Sequence, residues 1–407
     1  IAFILAASGL LFLATQNKGF SVVIQLVLLC GMLFLICLYC QNRLALRRPA
    51  SAHELTRFYL MISLGGFLGG ILTSWIMPLI SRSVIEYLVG LTCVVGAVWM
   101  IGRESPAPRN LGNALTGVAL AVVPVLLAFF WISDLSGHYG CTYKHRNYYG
   151  IYEIKDLKGA RLLLHGTTMH GMQFTAPELR LEPTCMFSRT SPIGELLSSD
   201  KMNFRDIAVI GLGAGTLSIY THPGQTMDYY ELDPDVYMIA KKYFTYLDNA
   251  KGKINFIFGD ARQTLAKRPE KKYDLLVVDA FGGDSIPFHL LTAEAVALYK
   301  AHLNPKGILV FHISNRYVRL EPVLTAEAKA ARAYSGYRAT SGAPYGTGST
   351  WAFFAWENDL FRKVVLELQW FPLYLLIKEK HRLWTDGYSN ILPLINLSKL
   401  KESLSFQ

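Results

Sequence analysis

Four apolar runs in the first third of the chain constrain its folding more than any other feature. They cover residues 20–40, 58–80, 84–101 and 111–132 and follow a first run that opens at Ile1. Each is close to the ~20 residues that carry a helix across a hydrocarbon core ~30 Å thick. In lipid every backbone N–H and C=O has to be bonded within the chain, so such runs are read as helices. The expectation is a helical transmembrane domain over residues 1–132, with about five spans, the first truncated. GGFLGG at residues 65–70 gives a small-residue face for packing inside that bundle. Glu86, near the end of a run, is the one ionisable group inside a span, which argues against a proton relay or ion pathway. Residues 1–15 lack the basic start and cleavage site of a signal peptide, and the chain is expected to lack its native start.

The net charge of +10 suits anionic lipid headgroups once a membrane segment is present. No stripe of interleaved basic and aromatic residues points to nucleic acid. Partners expected from the sequence are therefore the lipid bilayer and other membrane proteins.

Past residue 132 the chain reads as soluble. Residues 133–190 alternate in short runs with glycine turns, as in LLLHGTTMHGMQ, and are expected to form a small β-rich region. Residues 191–345 alternate strand and helix patterns, the mark of a Rossmann-like doubly wound α/β sheet of the S-adenosylmethionine-methyltransferase type. Strands are expected at 206–210, 227–232, 253–258, 273–279 and 307–314, with helices at 216–221, 234–247, 261–268 and 292–303. Residues 346–407 hold a late strand at 350–356 and a tail.

In an open α/β sheet, ligands bind at the carboxyl ends of the strands. Here each strand end carries a candidate group. The first ends in VIGLGAGTLSIY, with Gly211, Gly213 and Gly215. This loop lacks the third glycine of the dinucleotide fingerprint and the GK[ST] of a P-loop, pointing to S-adenosylmethionine or a relative. Glu231 and Asp233 end the second strand, Glu231 standing 20 positions after Gly211, a spacing that suits a carboxylate on ribose hydroxyls. Asp260 ends the third, where an adenine amino group would lie, and Asp279 the fourth, with Asp284 following. Helix capping is the competing reading for Asp233, Glu231 and Asp260. The histidines and cysteines lack metal-ligand spacing.

NYYG, SPIGELL, VIGLGAGTLSIY, YYELDPDV, FIFGDAR, YDLLVVDAF, SIPFHLLT, GILVFHISNRY and the later LWTDGYSNIL together resemble the spermidine synthase (polyamine aminopropyltransferase) family, in its membrane-fused bacterial form. The resemblance implies aminopropyl transfer from decarboxylated S-adenosylmethionine to a polyamine. It assigns Glu231 to the ribose, Asp260 to the adenine, and Asp279 and Asp284 to the amines, with Asp284 as proton acceptor. His170 falls where the family often has a substrate-facing glutamine. Three positions depart from the pattern. Ala214 replaces the aspartate that holds the donor's amine. Asp279 and Asp284 are five apart rather than three. Phe187 is the nearest aromatic where a tyrosine is common. These departures leave open another S-adenosylmethionine-dependent transferase, or an inactive structural subunit of a membrane assembly.

The expected location is the bacterial inner membrane, with the side of the soluble part unresolved. Arg43, Arg47, Arg48 and Arg57 put the loop at 41–57 in the cytoplasm, and three further spans then bring the soluble part out on the other side. A nucleotide donor requires the cytoplasm. An external domain would go with a disulfide between Cys141 and Cys185; two unrelated thiols would go with a cytoplasmic enzyme.

Overall fold

A computed structural model describes residues 22–103, 140–282, 286–315, 317–341, 344–377 and 381–398, with isolated positions between 122 and 132. The chain divides into two compact units, Ile1–Ile151 with Ser398–Gln407, and Tyr152–Leu397.

In the first unit, helices α1 (Val22–Leu46), α2 (Ala52–Ile71) and α3 (Glu86–Arg103) form at three of the apolar runs, followed by strand β1 (Tyr143–Asn147). Ser51 and Glu54 start α2 as a capping box: the Glu54 N–H donates to Ser51 Oγ at 3.3 Å, and Ser51 Oγ donates to Glu54 Oε2 at 3.1 Å. The helix runs on through a wide turn, Leu72–Ile76, into Met77–Ile80. Pro78 lacks an N–H and its ring crowds the preceding turn, which explains the widening. Among the described residues only Ala52–Ile80, 29 residues, is long and apolar enough to cross a membrane. The expected bundle of about five spans is therefore not supported. α1 is 25 residues and α3 is 18, Glu86–Arg103; the first expected span and most of the run at 111–132 lie outside the described residues. Glu86 pairs with Arg146 of β1.

The second unit opens with the antiparallel strands β2 (Gly150–Leu157), β3 (Ala160–His165) and β4 (Thr168–Phe174). Lys158 and Gly159 both take positive φ, 48° and 80°, as a two-residue hairpin turn between right-twisted strands requires. Helix α4 (Pro192–Ser198) follows, capped by Ser191, which accepts from the Gly194 N–H at 3.1 Å.

The main sheet contains β5 (Asp206–Ile210), β6 (Thr226–Glu231), β7 (Lys253–Phe258), β8 (Tyr273–Val278), β9 (Leu303–His312), β10 (Tyr334–Thr340), β11 (Ser349–Ala355) and β12 (Phe371–Pro372). Its order is β12-β10-β11-β9-β8-β5-β6-β7. Strands β5 to β9 are parallel, and β10, β11 and β12 join antiparallel. The parallel part is the doubly wound, Rossmann-like order read from the sequence. Helices α5 (Pro234–Tyr243), α6 (Ala261–Ala266), α7 (Ala293–Ala301), α8 (Glu321–Ala330) and α9 (Asn358–Glu367) complete the unit. Leu275–Val278 and Ile308–Phe311 are fully buried, as strands covered on both faces must be.

Residues 216–220 form a 3₁₀ turn rather than an α-helix, because Gly215 starts the segment left-handed at φ 77° and leaves five residues for it. The expected disulfide is absent: Cys141 and Cys185 are free. Cys185 is buried with its sulfur 3.8 Å from that of Met169, and burial pushes its thiol up to about 11.

Candidate functional site

The strand order reverses between β5 and β8. The chain leaves β5 for β6 on one side and returns later to β8 on the other, which opens a crevice at the carboxyl edge. The glycine loop lies at one lip of that crevice and Asp279 at the other.

Two glycines there are required by contact. Gly211 has φ 98°, and a Cβ on it would meet the Asp279 carbonyl oxygen at 2.5 Å. Gly213 has φ 53°, and its Cβ would meet the His170 carbonyl oxygen at 2.6 Å. The loop is thus wedged between the β8 end and β4. Ala214 is buried against Gly171 of β4, where an added Cβ would lie 2.4 Å from the Ala214 Cβ.

Glu231 joins the loop to the next strand. Its Oε2 accepts from the Leu212 N–H at 2.9 Å and its Oε1 from the Asp233 N–H at 3.0 Å. Its carbonyl accepts from the Gly259 N–H at 2.9 Å, which ties the β6 end to the β7 end. Burial pushes the Glu231 carboxyl up to about 7 despite the backbone donors that favour the charged form, and the Asp233 charge adds to the rise. A half-ionised carboxylate with spare lone pairs, held beside a glycine loop, can receive hydroxyl donors.

The other strand-end acids are more occupied. Asp233 caps α5, accepting from the Asp235 N–H at 2.9 Å, and also bonds the Tyr152 hydroxyl. Asp260 caps α6 through the Gln263 N–H at 3.0 Å, and its other oxygen lies 3.1 Å from His289 Nε2. A cavity of about 510 Å³ beside it is lined by Arg262, His289 and Asp386, with Arg262 clamping Asp386. Asp279 Oδ1 accepts from His312 Nδ1 at 2.7 Å. Burial raises the Asp279 carboxyl, and the His312 charge and hydrogen bond pull the other way. His170 brings its carbonyl to the loop, and its ring lies 5.4 Å from that of His165. Asp284 lies outside the described residues. Among the described residues no group of three or more His, Cys, Asp or Glu is arranged to hold a metal.

Loop, Glu231 and Asp279 therefore meet at one edge, while Asp260 stands beside them with its carboxylate engaged. Sequence reading missed His312, Tyr152 and His289. Each acts through a partner on another strand or loop, a signal that no local pattern carries.

No protein-family model matches the chain. It is similar to the polyamine aminopropyltransferase of Vibrio vulnificus (strain CMCP6), 37% identical over 109 residues, 26% of this chain and 36% of that one. It is also similar to a probable polyamine aminopropyl transferase of Bifidobacterium longum (strain NCC 2705), 27% identical over 229 residues, 55% of this chain and 44% of that one. These similarities support the resemblance to the spermidine synthase family. The chain spans less than half the length of both relatives, 36% and 44%. A stretch of 118 residues is 32% identical to an eEF1A lysine and N-terminal methyltransferase of Xenopus laevis, covering 26% of this chain and 17% of that one. Among solved structures, a probable spermidine synthase from Corynebacterium glutamicum ATCC 13032 is similar at 14% identity and TM-score 0.46, covering 61% of this chain and 98% of that one. Set against the pattern of the spermidine synthase family, the aspartate expected on the glycine loop is replaced by an alanine packed on β4.

Proposed function

We propose that this chain is a membrane-anchored transferase that binds decarboxylated S-adenosylmethionine, or S-adenosylmethionine itself, in the crevice between β5 and β8. Its reaction is aminopropyl transfer to a polyamine. The observation that carries this reading is Glu231, a buried carboxylate bonded to the glycine loop at the switch point of the sheet. In that placement Glu231 receives the ribose hydroxyls, the loop N–H groups approach the nucleoside, and Asp260 stands on the adenine side.

The acceptor's amine nitrogen attacks the carbon bonded to the sulfonium. The C–S bond breaks with its electron pair going to sulfur, and the amine's proton passes to an aspartate. Asp284 is assigned that proton and Asp279 the positioning of the amine. The apolar helix Ala52–Ile80 anchors the chain in the bacterial inner membrane. A cytoplasmic face for the α/β unit suits the donor; labelling of an introduced surface cysteine by an impermeant reagent in intact cells tests the side.

A second reading, another S-adenosylmethionine-dependent transferase, is favoured by Ala214. Without the loop carboxylate the donor's ammonium loses a partner worth roughly 2–5 kcal/mol when buried. The test is calorimetric binding of both nucleotides to the full chain in detergent, followed by mass spectrometry of products with putrescine. Aminopropylated putrescine supports the first reading. Binding of S-adenosylmethionine alone, without such a product, favours the second. Binding of neither rejects both.

A further inference from the structure

Asp279 does not stand alone at the crevice. Its Oδ1 accepts from His312 Nδ1 at 2.7 Å, and His312 Nε2 lies 2.7 Å from Ser314 Oγ. Ser314 Oγ accepts the Thr350 N–H at 2.8 Å and keeps its own hydrogen to donate to Nε2, the tautomer in which Asp279 receives the ring N–H. That assignment leaves the imidazole proton on Nδ1, pointing at Asp279. The ring is caged as well as bonded. Trp351 stacks on it at 4.3 Å and 14°, Phe281 meets it edge-on at 4.8 Å, and Phe187 closes at 6.3 Å. The His312 side chain is 3% exposed, whereas that of Asp279 keeps 11%. The histidine is thus sealed away from any ligand, while the carboxylate is not. Among the described residues only His312 hydrogen-bonds this carboxylate.

We propose that His312, clamped by Ser314, is a positioning residue for the acceptor amine: it fixes one oxygen of Asp279 and leaves the other to meet the ammonium group of a polyamine at the crevice. The inference rests on the aminopropyltransferase reading and adds a residue to it. The order Ser–His–Asp also matches a hydrolase triad in its distances. However, Ser314 Oγ is held by the Thr350 N–H as well as by the ring, as a clamp and not a nucleophile. Besides His312 on β9, the titratable group facing Asp279 is Tyr229 on β6, which Ser218 holds at 2.9 Å. Burial raises the phenol, and against the burial that raises Asp279 it is His312 that favours the charged carboxylate.

The experiment uses the full chain in detergent as wild type, His312→Leu, His312→Asn, Ser314→Ala and Asp279→Asn. Three quantities are read: kcat/KM for putrescine against pH, affinity for 5′-methylthioadenosine, and the carboxyl titration of Asp279 by difference infrared spectroscopy against Asp279→Asn. His312→Leu is expected to raise the Asp279 midpoint, and the acid limb of the profile with it, by about one unit. It should lower kcat/KM for the amine about 10²-fold through misplacement of the carboxylate, with the nucleoside affinity kept. His312→Asn keeps a donor and should restore much of the rate without restoring the acid limb. An unmoved midpoint overturns the proposal, as does a nucleoside affinity that falls in step with turnover. Labelling of Ser314 by a fluorophosphonate also overturns it. A wild-type chain that transfers nothing rejects the aminopropyltransferase reading, while the infrared titration still tests the clamp.

Discussion

Nucleoside binding should release a proton from Glu231, and the amount follows from its surroundings. In the unliganded site burial holds the carboxyl at about 7. At pH 6 such a group is ~0.9 protonated. Two ribose hydroxyls added to the Leu212 and Asp233 N–H donors stabilise the charged form and lower the midpoint. If it falls below about 5, binding at pH 6 releases ~0.8 proton and affinity is roughly tenfold weaker at pH 6 than at pH 8, about 1.4 kcal/mol. The probe is 5′-methylthioadenosine, which has the adenine and ribose without the donor's titratable amine. Calorimetry in two buffers of different ionisation enthalpy counts the proton. Glu231→Gln should abolish both the release and the pH dependence. It should also weaken binding by about 1.5–3 kcal/mol through the lost charge-assisted bonds. Stability of the unliganded fold moves in the opposite direction. The folded midpoint of about 7 exceeds the ordinary 4.5, so the folded chain holds the proton longer than the unfolded chain. The contribution is full below the ordinary midpoint, is lost as pH rises through the folded one, and amounts to about 3 kcal/mol at most. Equal affinity at pH 6 and pH 8 with no proton released, or a slope that survives Glu231→Gln, would refute this reasoning.

Other expectations are simpler to state. Glu327 of α8 is fully buried, with Oε1 accepting the Trp384 N–H at 3.0 Å, and burial pushes its carboxyl up to about 8. Glu327→Gln should therefore be more stable than wild type above that pH, by roughly 2–4 kcal/mol, and comparable in acid, as urea unfolding across pH will reveal. Gly171→Ala brings a methyl to within 2.4 Å of the Ala214 Cβ and should cost about 1–3 kcal/mol in thermal unfolding while also weakening nucleoside binding. Asp284→Asn should abolish transfer to the amine and spare nucleoside affinity, since it removes the base and keeps the shape; full activity in that variant would reject the assignment.

The parallel strands were legible because each is an apolar run ended by glycine or an acid: β5 and β7 fall at the expected residues, and β6 and β8 within one residue. Helix ends were read less well. α5 stops at Tyr243, because Phe244 turns extended at φ −120° and buries its ring, where the apolar pattern suggested four more residues. Residues 321–340 yielded no element from sequence, yet they form α8 and β10. β10 is half-buried and lies between β11 and the two-residue β12, so its composition lacks the apolar signature of the central strands. Within the site, Glu231 was legible from its distance to the loop. His312 was not: in GILVFHIS it reads as a strand residue, and its meaning comes from Asp279 on β8, Ser314 beyond the strand end and Thr350 on β11. The apolar helices run as long as their apolar letters or longer, because Ser51 and Glu54 start α2 six residues before its apolar run and α1 continues to Leu46.

The fit between Gly171 and Ala214 couples the two positions. A side chain larger than a methyl on the loop has no room toward β4, and a methyl on β4 has none toward the loop. The two positions are therefore bound to one another, and each limits the size of the other. Placing an aspartate at position 214 would take more than one substitution, since its carboxylate would have to turn away from the strand that Ala214 touches. A single substitution at either position is thus opposed by the other.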